Sequence, residues 1–174
     1  MLSPPARAAG LTAGYYAAVF FAMGAYLPYW PTWLEDWGLS TAEIGWYLGA
    51  ATLARIVGTT LLPAIADRYG LRRWVLAGTA LAAALLITLH PSLGDQRALL
   101  AATLLLAVTM APSVPLGEGL GLRAAMRFGF AYGPVRAAGS VAFLIANVTV
   151  GAWIGQNGPG IVVTVVAAGL GVTA

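Results

Sequence analysis

Asp67-Arg68-Tyr69-Gly70-Leu71-Arg72-Arg73 is a short, charged, net-positive link between two long apolar stretches of a 174-residue chain. A tight polar turn between hydrophobic segments predicts two antiparallel membrane helices, and its arginines predict that the turn faces the cytoplasm.

The rest of the chain agrees with a membrane reading. Hydrophobic residues make up 60% and charged residues 9% of the sequence, and mean hydropathy is +0.82. A water-soluble fold of this composition would lack polar surface with which to cover itself. The formal charge of +3 comes from nine arginines with no lysine. Apart from Arg55 they lie at or between the ends of apolar segments, with none of the patch that a nucleic-acid-binding domain presents, so nucleic acid is not expected as a partner. Without cysteine, disulfides and thiolate metal sites are excluded. No Ser-His-Asp set, His-rich metal spacing or Gly-rich phosphate loop occurs, so neither an enzyme nor a metal or cofactor is expected.

Apolar runs of spanning length, about 20 residues, cover Leu11 to Trp30, Ile44 to Ile65, Trp74 to His90, Ala98 to Leu122 and Ala137 to Gly155. A sixth starts near Gly160 and is still apolar at Ala174. The lead-in from Met1 to Gly14 carries only Arg7, and the run that follows is longer than a signal-peptide core, which predicts an uncleaved first span. The expected fold is an all-α, polytopic transmembrane helical bundle of five complete spans plus a partial sixth. An unfinished helix end leaves carbonyls unsatisfied in lipid, so the chain is expected to be a fragment.

Arg7, then Arg68, Arg72 and Arg73, then Arg123, Arg127 and Arg136 fall at alternate ends of the spans. The opposite ends carry a single arginine, Arg97, and acidic residues that include Glu35, Asp36 and Glu43, which predicts a cytoplasmic N-terminus. Trp30, Trp33, Trp37, Trp46 and Tyr47 cluster at the outer ends of the first two spans, as an interfacial aromatic belt would. Small-residue pairs four apart, Gly10/Gly14, Gly45/Gly49, Gly117/Gly121 and Gly151/Gly155, are candidates for close helix approach.

Ionisable residues inside spans are expensive and mark functional sites. Arg55 sits near the middle of the second span, where it either lines a solute pathway or is satisfied by carbonyls or a neighbouring carboxylate. Glu118 follows Pro112 and Pro115, which should bend the fourth span. It is a candidate for binding a polar solute or carrying a proton, or else an ion-pair partner of Arg123 or of an arginine in the Asp67 link. Arg136 opens the fifth span and by position alone reads as a snorkelling interfacial anchor. His90, the single histidine, ends the third span beside Pro91 and is assigned an interfacial position with no role. Asn147 is expected to hydrogen-bond between helices.

These residues resemble the major facilitator superfamily, whose link between the second and third helices reads Gly-x-x-x-Asp-Arg/Lys-x-Gly-Arg/Lys-Arg/Lys. Asp67, Arg68, Gly70, Arg72 and Arg73 match it; Pro63 stands where the leading glycine belongs, and Leu71 is inserted as in the lactose permease branch. Met23-Gly24-Ala25-Tyr26-Leu27-Pro28-Tyr29-Trp30-Pro31-Thr32-Trp33-Leu34 looks like the end of the first helix in the lactose permease and phenylpropionate permease branch. Tyr132-Gly133-Pro134-Val135-Arg136 followed by Gly139-Ser140 resembles the start of the fifth helix there.

The resemblance implies the N-terminal six-helix half of a secondary transporter, built as three-plus-three inverted repeats, with the C-terminal half absent. It implies alternating access, most simply proton-coupled import of a small polar or carboxylated solute across a bacterial inner membrane. It also implies roles. The Asp67 link would act as a cytoplasmic gate, and Glu118 and Arg136 keep the spacing of a glutamate and arginine that contact sugar in that branch. Arg55 has its counterpart in the phenylpropionate-type members and implies an anionic solute. Two alternatives remain at this stage. Gly129-x-x-x-Gly133-Pro134 begins like an exporter signature, though Ala138-Gly139 stands where a Gly-Gly pair should follow; and the chain could be a complete, non-transporting or self-pairing half-length membrane protein.

Overall fold

A computed structural model describes residues 3–174; Met1 and Leu2, the first residues of the expected lead-in, lie outside the described residues. The helices are α1 (Pro4–Trp37), α2 (Thr41–Arg68), α3 (Arg72–Leu89) with a 3-10 turn at His90–Ser92, α4 (Gln96–Met110), α5 (Ser113–Phe128), α6 (Tyr132–Asn157) and α7 (Ile161–Thr173). No strand occurs among the described residues. α4 and α5 are one bent span: Pro112 separates them and, with Pro115, removes backbone donors there. With α4 and α5 taken together, five helical segments among the described residues are long and apolar enough to cross a membrane, and α7 is apolar but shorter. The first five expected runs fall inside these helices, which extend past them because Glu35, Trp37 and Arg68 continue a helix that hydropathy no longer registers.

The links between helices follow from a few capping residues. α1 closes on Gly38 at φ 112°, with the Leu39 N–H donating to Leu34 O at 3.1 Å. α2 then opens with a capping box, in which the Ser40 N–H donates to Glu43 Oε2 at 2.8 Å. The Asp67 link is a complete Schellman closure: Leu71 N–H reaches Ala66 O at 2.9 Å and Gly70 N–H reaches Asp67 O at 3.4 Å. Gly70 takes φ 68°, where an L side chain is strained, so the link's glycine is a geometric requirement of the turn.

α1 is the central element. It packs along α6 and α7, while α2 packs along α4 and α3 along α7 and α4. This pairing is unchanged when α1, α2 and α3 are exchanged with the α4/α5 span, α6 and α7, respectively, which is the pattern of an internal repeat of three spans. In lipid the hydrophobic effect does not favour one helix contact over another, so close backbone approach decides which pairs form. A Cβ on Gly24 would lie 2.5 Å from Phe143 O, and one on Gly58 would lie 2.7 Å from Val108 O. These two glycines fix the α1–α6 and α2–α4 crossings.

The expected small-residue pairs fare differently. Gly10, Gly14, Gly45, Gly49 and Gly155 face open space. Gly117 and Gly121 are contacts, but with tyrosine side chains of α1, and Gly151 meets the hydroxyl of Tyr29. That hydroxyl donates to the backbone carbonyl of Asn147 at 2.7 Å, so the interhelical bond at Asn147 runs through its main chain.

The aromatic cluster is also mostly internal. Trp30 and Trp33 stack with centroids 4.7 Å apart and are buried, as is Tyr47, whose hydroxyl donates to Gln96 O at 2.6 Å. Of the expected belt, Trp46 is the fully outward member, 80% exposed. His90 is buried within the bundle: it packs edge-on against Trp30 at 5.1 Å and bonds Leu86 O through Nδ1 at 2.7 Å. The 3-10 turn at His90–Ser92 follows directly on α3.

Candidate solute site

The site grows from three helices. α1 supplies Tyr15, Tyr16 and Phe20, α5 supplies Glu118, and α6 supplies Tyr132 and Arg136. Gly117 and Gly121 clear the face of α5 that meets α1, so the rings of Tyr15 and Tyr16 reach its backbone. Tyr15 donates to Ser113 O at 2.5 Å and Tyr16 to Gly117 O at 3.3 Å. With the Tyr16 proton so used, Tyr132 is the donor in the 2.7 Å bond between the two hydroxyls.

Arg136 folds inward onto this frame. Its Nε donates to Glu118 Oε1 at 3.3 Å, and its Cζ lies 4.2 Å from the Phe20 ring centroid and 5.2 Å from that of Tyr16. Two aromatic faces and a carboxylate hold the guanidinium, each cation–π contact contributing about 0.5 to 2 kcal/mol. The side chain is 28% exposed, against 46% for Glu118. Arg136 is thus no snorkelling anchor, and the partner of Glu118 is Arg136 rather than Arg123 or the Asp67 link. The bond engages one nitrogen and one oxygen; the Nη groups and Oε2 make no further hydrogen bond among the described residues. A salt bridge joined at one corner leaves two donor nitrogens and an acceptor oxygen for hydroxyls or a carboxylate.

Arg55 lies apart from this pair. It lines a cavity of about 110 Å³ between α1, α2 and the α4/α5 bend, with Met23, Tyr26, Leu48, Met110 and Ser113 among its walls. Its guanidinium makes no ion pair and no hydrogen bond among the described residues, where the ion pairs are Asp67–Arg72 and Glu118–Arg136. The carbonyl and carboxylate partners offered as its bland explanation are therefore not what holds it.

At the far end, Asp67 pairs with Arg72 across its own turn. An acid in the last turn of α2 and a base in the first turn of α3 both oppose the helix dipoles, so helix stability does not account for their placement. Asp67, Gly70, Arg72, Arg73, Trp74 and Arg123 rim a surface groove, and the Arg68 guanidinium lies 5.9 Å from the Tyr69 ring. Ala66, fully buried against Leu76 and Leu116, is the small residue on which the turn packs. Half-buried Pro63 continues α2 without ending it.

Sequence reasoning did not find Tyr16, Phe20, Tyr132 or Ser113. The spacing of Tyr16 and Phe20 puts both on one helix face, and that was the available signal. Nothing in the sequence marked Ser113.

Known proteins give a consistent picture. The profile described as the MFS_1 like family matches residues 11–174. The chain is 34% identical over 147 residues to a protein named probable 3-phenylpropionic acid transporter of Escherichia coli (strain K12), covering 81% of this chain and 37% of that protein. It is 31% identical over 144 residues to a protein named maltose permease of Geobacillus stearothermophilus, covering 82% of this chain and 36% of that one. The chain thus spans little more than a third of the length of these relatives. No solved structure gives a significant match.

Proposed function

Because the chain belongs to the MFS_1-like family of membrane transporters, we propose that it forms the N-terminal half of a secondary transporter importing a small polar or carboxylated solute with protons. Glu118 and Arg136 contact the solute, Arg55 faces the solute pathway, and the Asp67–Arg72 link is the inner gate. The partners in this reading are the solute, protons, the lipid bilayer and a C-terminal half that completes the pathway. The observation that carries it is the Glu118–Arg136 pair, joined at one corner over an aromatic floor at 3.3 Å. Its Nη groups and Oε2 carry no other hydrogen bond among the described residues, and at 28% and 46% exposure the two side chains are open to a hydroxyl or a carboxylate. One relative is named for a carboxylic acid and the other for maltose, and a guanidinium beside a carboxylate suits either kind of group.

Arginines at alternate span ends support an N-terminus in the cytoplasm, and the kinship with bacterial proteins supports the bacterial cytoplasmic membrane. Gly129 is the left-handed cap of α5 at φ 71° and Gly133 lies in the first turn of α6. The glycines of the exporter-like pattern thus serve a link between spans, which favours import over export.

The test is directional flux in right-side-out membrane vesicles from cells producing the full-length protein, across a panel of sugars, nucleosides and carboxylates. Acidifying the outside is expected to drive one class inward, and a protonophore is expected to stop it. Outward movement under an inward proton gradient would make the protein an exporter, and flux indifferent to the protonophore would remove proton coupling.

A further inference from the structure

At the end of the bundle that carries the Asp67 link, a surface groove of about 470 Å³ is lined by Arg73, Trp74, Leu120 and Arg123 beside the Asp67–Arg72 pair. That volume falls in the range of small-molecule sites, about 300 to 1,000 Å³. Three arginines against one aspartate give the lining a net charge of +2. Other arginines nearby have a neighbour: Arg72 pairs with Asp67, and Arg68 and Arg127 lie over the rings of Tyr69 and Phe128. Arg73 and Arg123 are exposed and have no ion pair, hydrogen bond or aromatic partner among the described residues. The bias of arginines toward one side of a membrane accounts for their number at this end. It does not account for two of them, from different helices, lining one groove. Nor does helix stability place Arg73 in the first turn of α3, where a cation opposes the helix dipole. The groove shares Trp74 with an apolar track. Trp74 is 78% exposed, and Gly78, Leu81 and Leu85 follow it at i+4, i+7 and i+11 on one face of α3, all of them exposed. A Cβ on Gly78 would meet nothing within 4 Å, so a notch stands between the indole and Leu81. From Trp74 to Leu85 the helix rises about 16 Å, the depth of one leaflet of a hydrocarbon core about 30 Å thick.

We infer that this groove binds an anionic phospholipid, its phosphate held by Arg73 and Arg123 and one acyl chain laid along Trp74, Gly78, Leu81 and Leu85. The inference goes beyond the transporter reading and does not depend on it, because it uses only the membrane-spanning bundle. Depth agrees: an exposed indole at a span end belongs at headgroup level, which sets the groove beside the lipid phosphates. Charge selects the head. A headgroup with a net negative charge complements the two unpartnered guanidiniums, whereas a zwitterionic one brings a second cation beside them. Asp67 is offset by Arg72 and does not turn the phosphate away. The track selects a lipid over a soluble anion. A chain seated in the notch makes dispersion contacts with the indole and both leucines that a free phosphate cannot make.

The test is native mass spectrometry of the full-length protein in detergent, titrated with palmitoyl-oleoyl phosphatidylglycerol or with phosphatidylcholine of the same chains. Phosphatidylglycerol is expected to bind at least about tenfold more tightly. Arg73→Gln and Arg123→Gln should each weaken it about fivefold, and the double variant about 25-fold, the effect of arginines near an anionic headgroup. Phosphatidylcholine should be unmoved by either change. Arg97→Gln, at an exposed arginine in the first turn of α4 and the opposite end of the bundle, should leave both affinities unchanged. Arg73 and Arg123 are exposed and unpartnered, so the variants should elute from size exclusion as the parent does, which guards against loss of binding through misfolding. Excess glycerol 3-phosphate should not displace the lipid. Equal binding of the two lipids would overturn the proposal. Unchanged affinity in the double variant would also overturn it, and is the result expected if the C-terminal half covers the groove. Displacement by glycerol 3-phosphate would make the groove a site for a soluble anion, and an equal loss in Arg97→Gln would reduce the effect to bulk charge; either result sinks the lipid site.

Discussion

Replacing Arg136 by alanine in the full-length protein is expected to lower solute uptake about 100-fold or more while leaving membrane insertion and yield unchanged. Two charge-assisted hydrogen bonds to the solute, at about 1.5 to 3 kcal/mol each, exceed the 2.8 kcal/mol or so that a hundredfold loss requires. Structural damage should be smaller, because Glu118 is nearly half exposed and can be rehydrated when its partner is removed. Arg136→Lys should recover only a fraction, since an ammonium keeps the charge but lacks the planar fork that lies on Phe20 and Tyr16. The charge-swapped pair Glu118→Arg with Arg136→Glu separates the explanations. If the two residues serve only as a strut, the swap restores uptake. If they present specific donors and an acceptor to a solute, it does not.

The second large effect is on the bundle itself. Gly24→Leu and Gly58→Leu should each abolish a monodisperse, folded protein, or lower its midpoint of thermal unfolding sharply in fluorescence-detected size-exclusion chromatography. The Cβ alone would sit 2.5 Å from Phe143 O in one case and 2.7 Å from Val108 O in the other, against backbone that has no rotamer into which to retreat. Overpacking in a well-packed core costs about 1 to 3 kcal/mol, and a backbone contact belongs at the upper end. Gly45→Ala and Gly155→Ala are internal controls. Both glycines are helical and face open space. Alanine there should be neutral or stabilising, by up to about 1 kcal/mol through helix propensity. Equal damage at all four positions would mean that the crossings are not set by close approach at Gly24 and Gly58.

Much of the architecture was legible because its signals are local. Apolar runs located the spans, and Pro112 and Pro115 located the bend that divides α4 from α5. Gly70 was legible as part of a motif, and the Schellman bonds supply its physical reason. What the sequence did not disclose depends on which face of a helix meets which neighbour. Gly24 and Gly58 have no partner four residues away and so escaped a search for glycine pairs, whereas Gly45/Gly49 had the spacing and no neighbour. Trp30 and Trp33 looked interfacial because indoles at a span end usually are, yet α1 is enclosed by α5, α6 and α7 and those rings are buried against His90.

The candidate site divided in the same way. Glu118 and Arg136 were paired in advance only through their resemblance to a known branch, because 18 residues and a helix break separate them. Their aromatic floor on α1 is a tertiary fact with no counterpart in local sequence. Arg55 was visible as a charge in the wrong solvent.

Counterflow tests most directly whether this bundle carries half of a solute pathway. The full-length protein is reconstituted into liposomes loaded with unlabelled solute, with no ion gradient, and external labelled solute is added. Transient accumulation of label is predicted for at least one small polar or carboxylated solute, and its loss is predicted for the Arg136→Ala protein reconstituted at the same density. Absence of counterflow for every solute in the panel by a folded, reconstituted protein, or equal counterflow by the Arg136→Ala protein, would contradict the account.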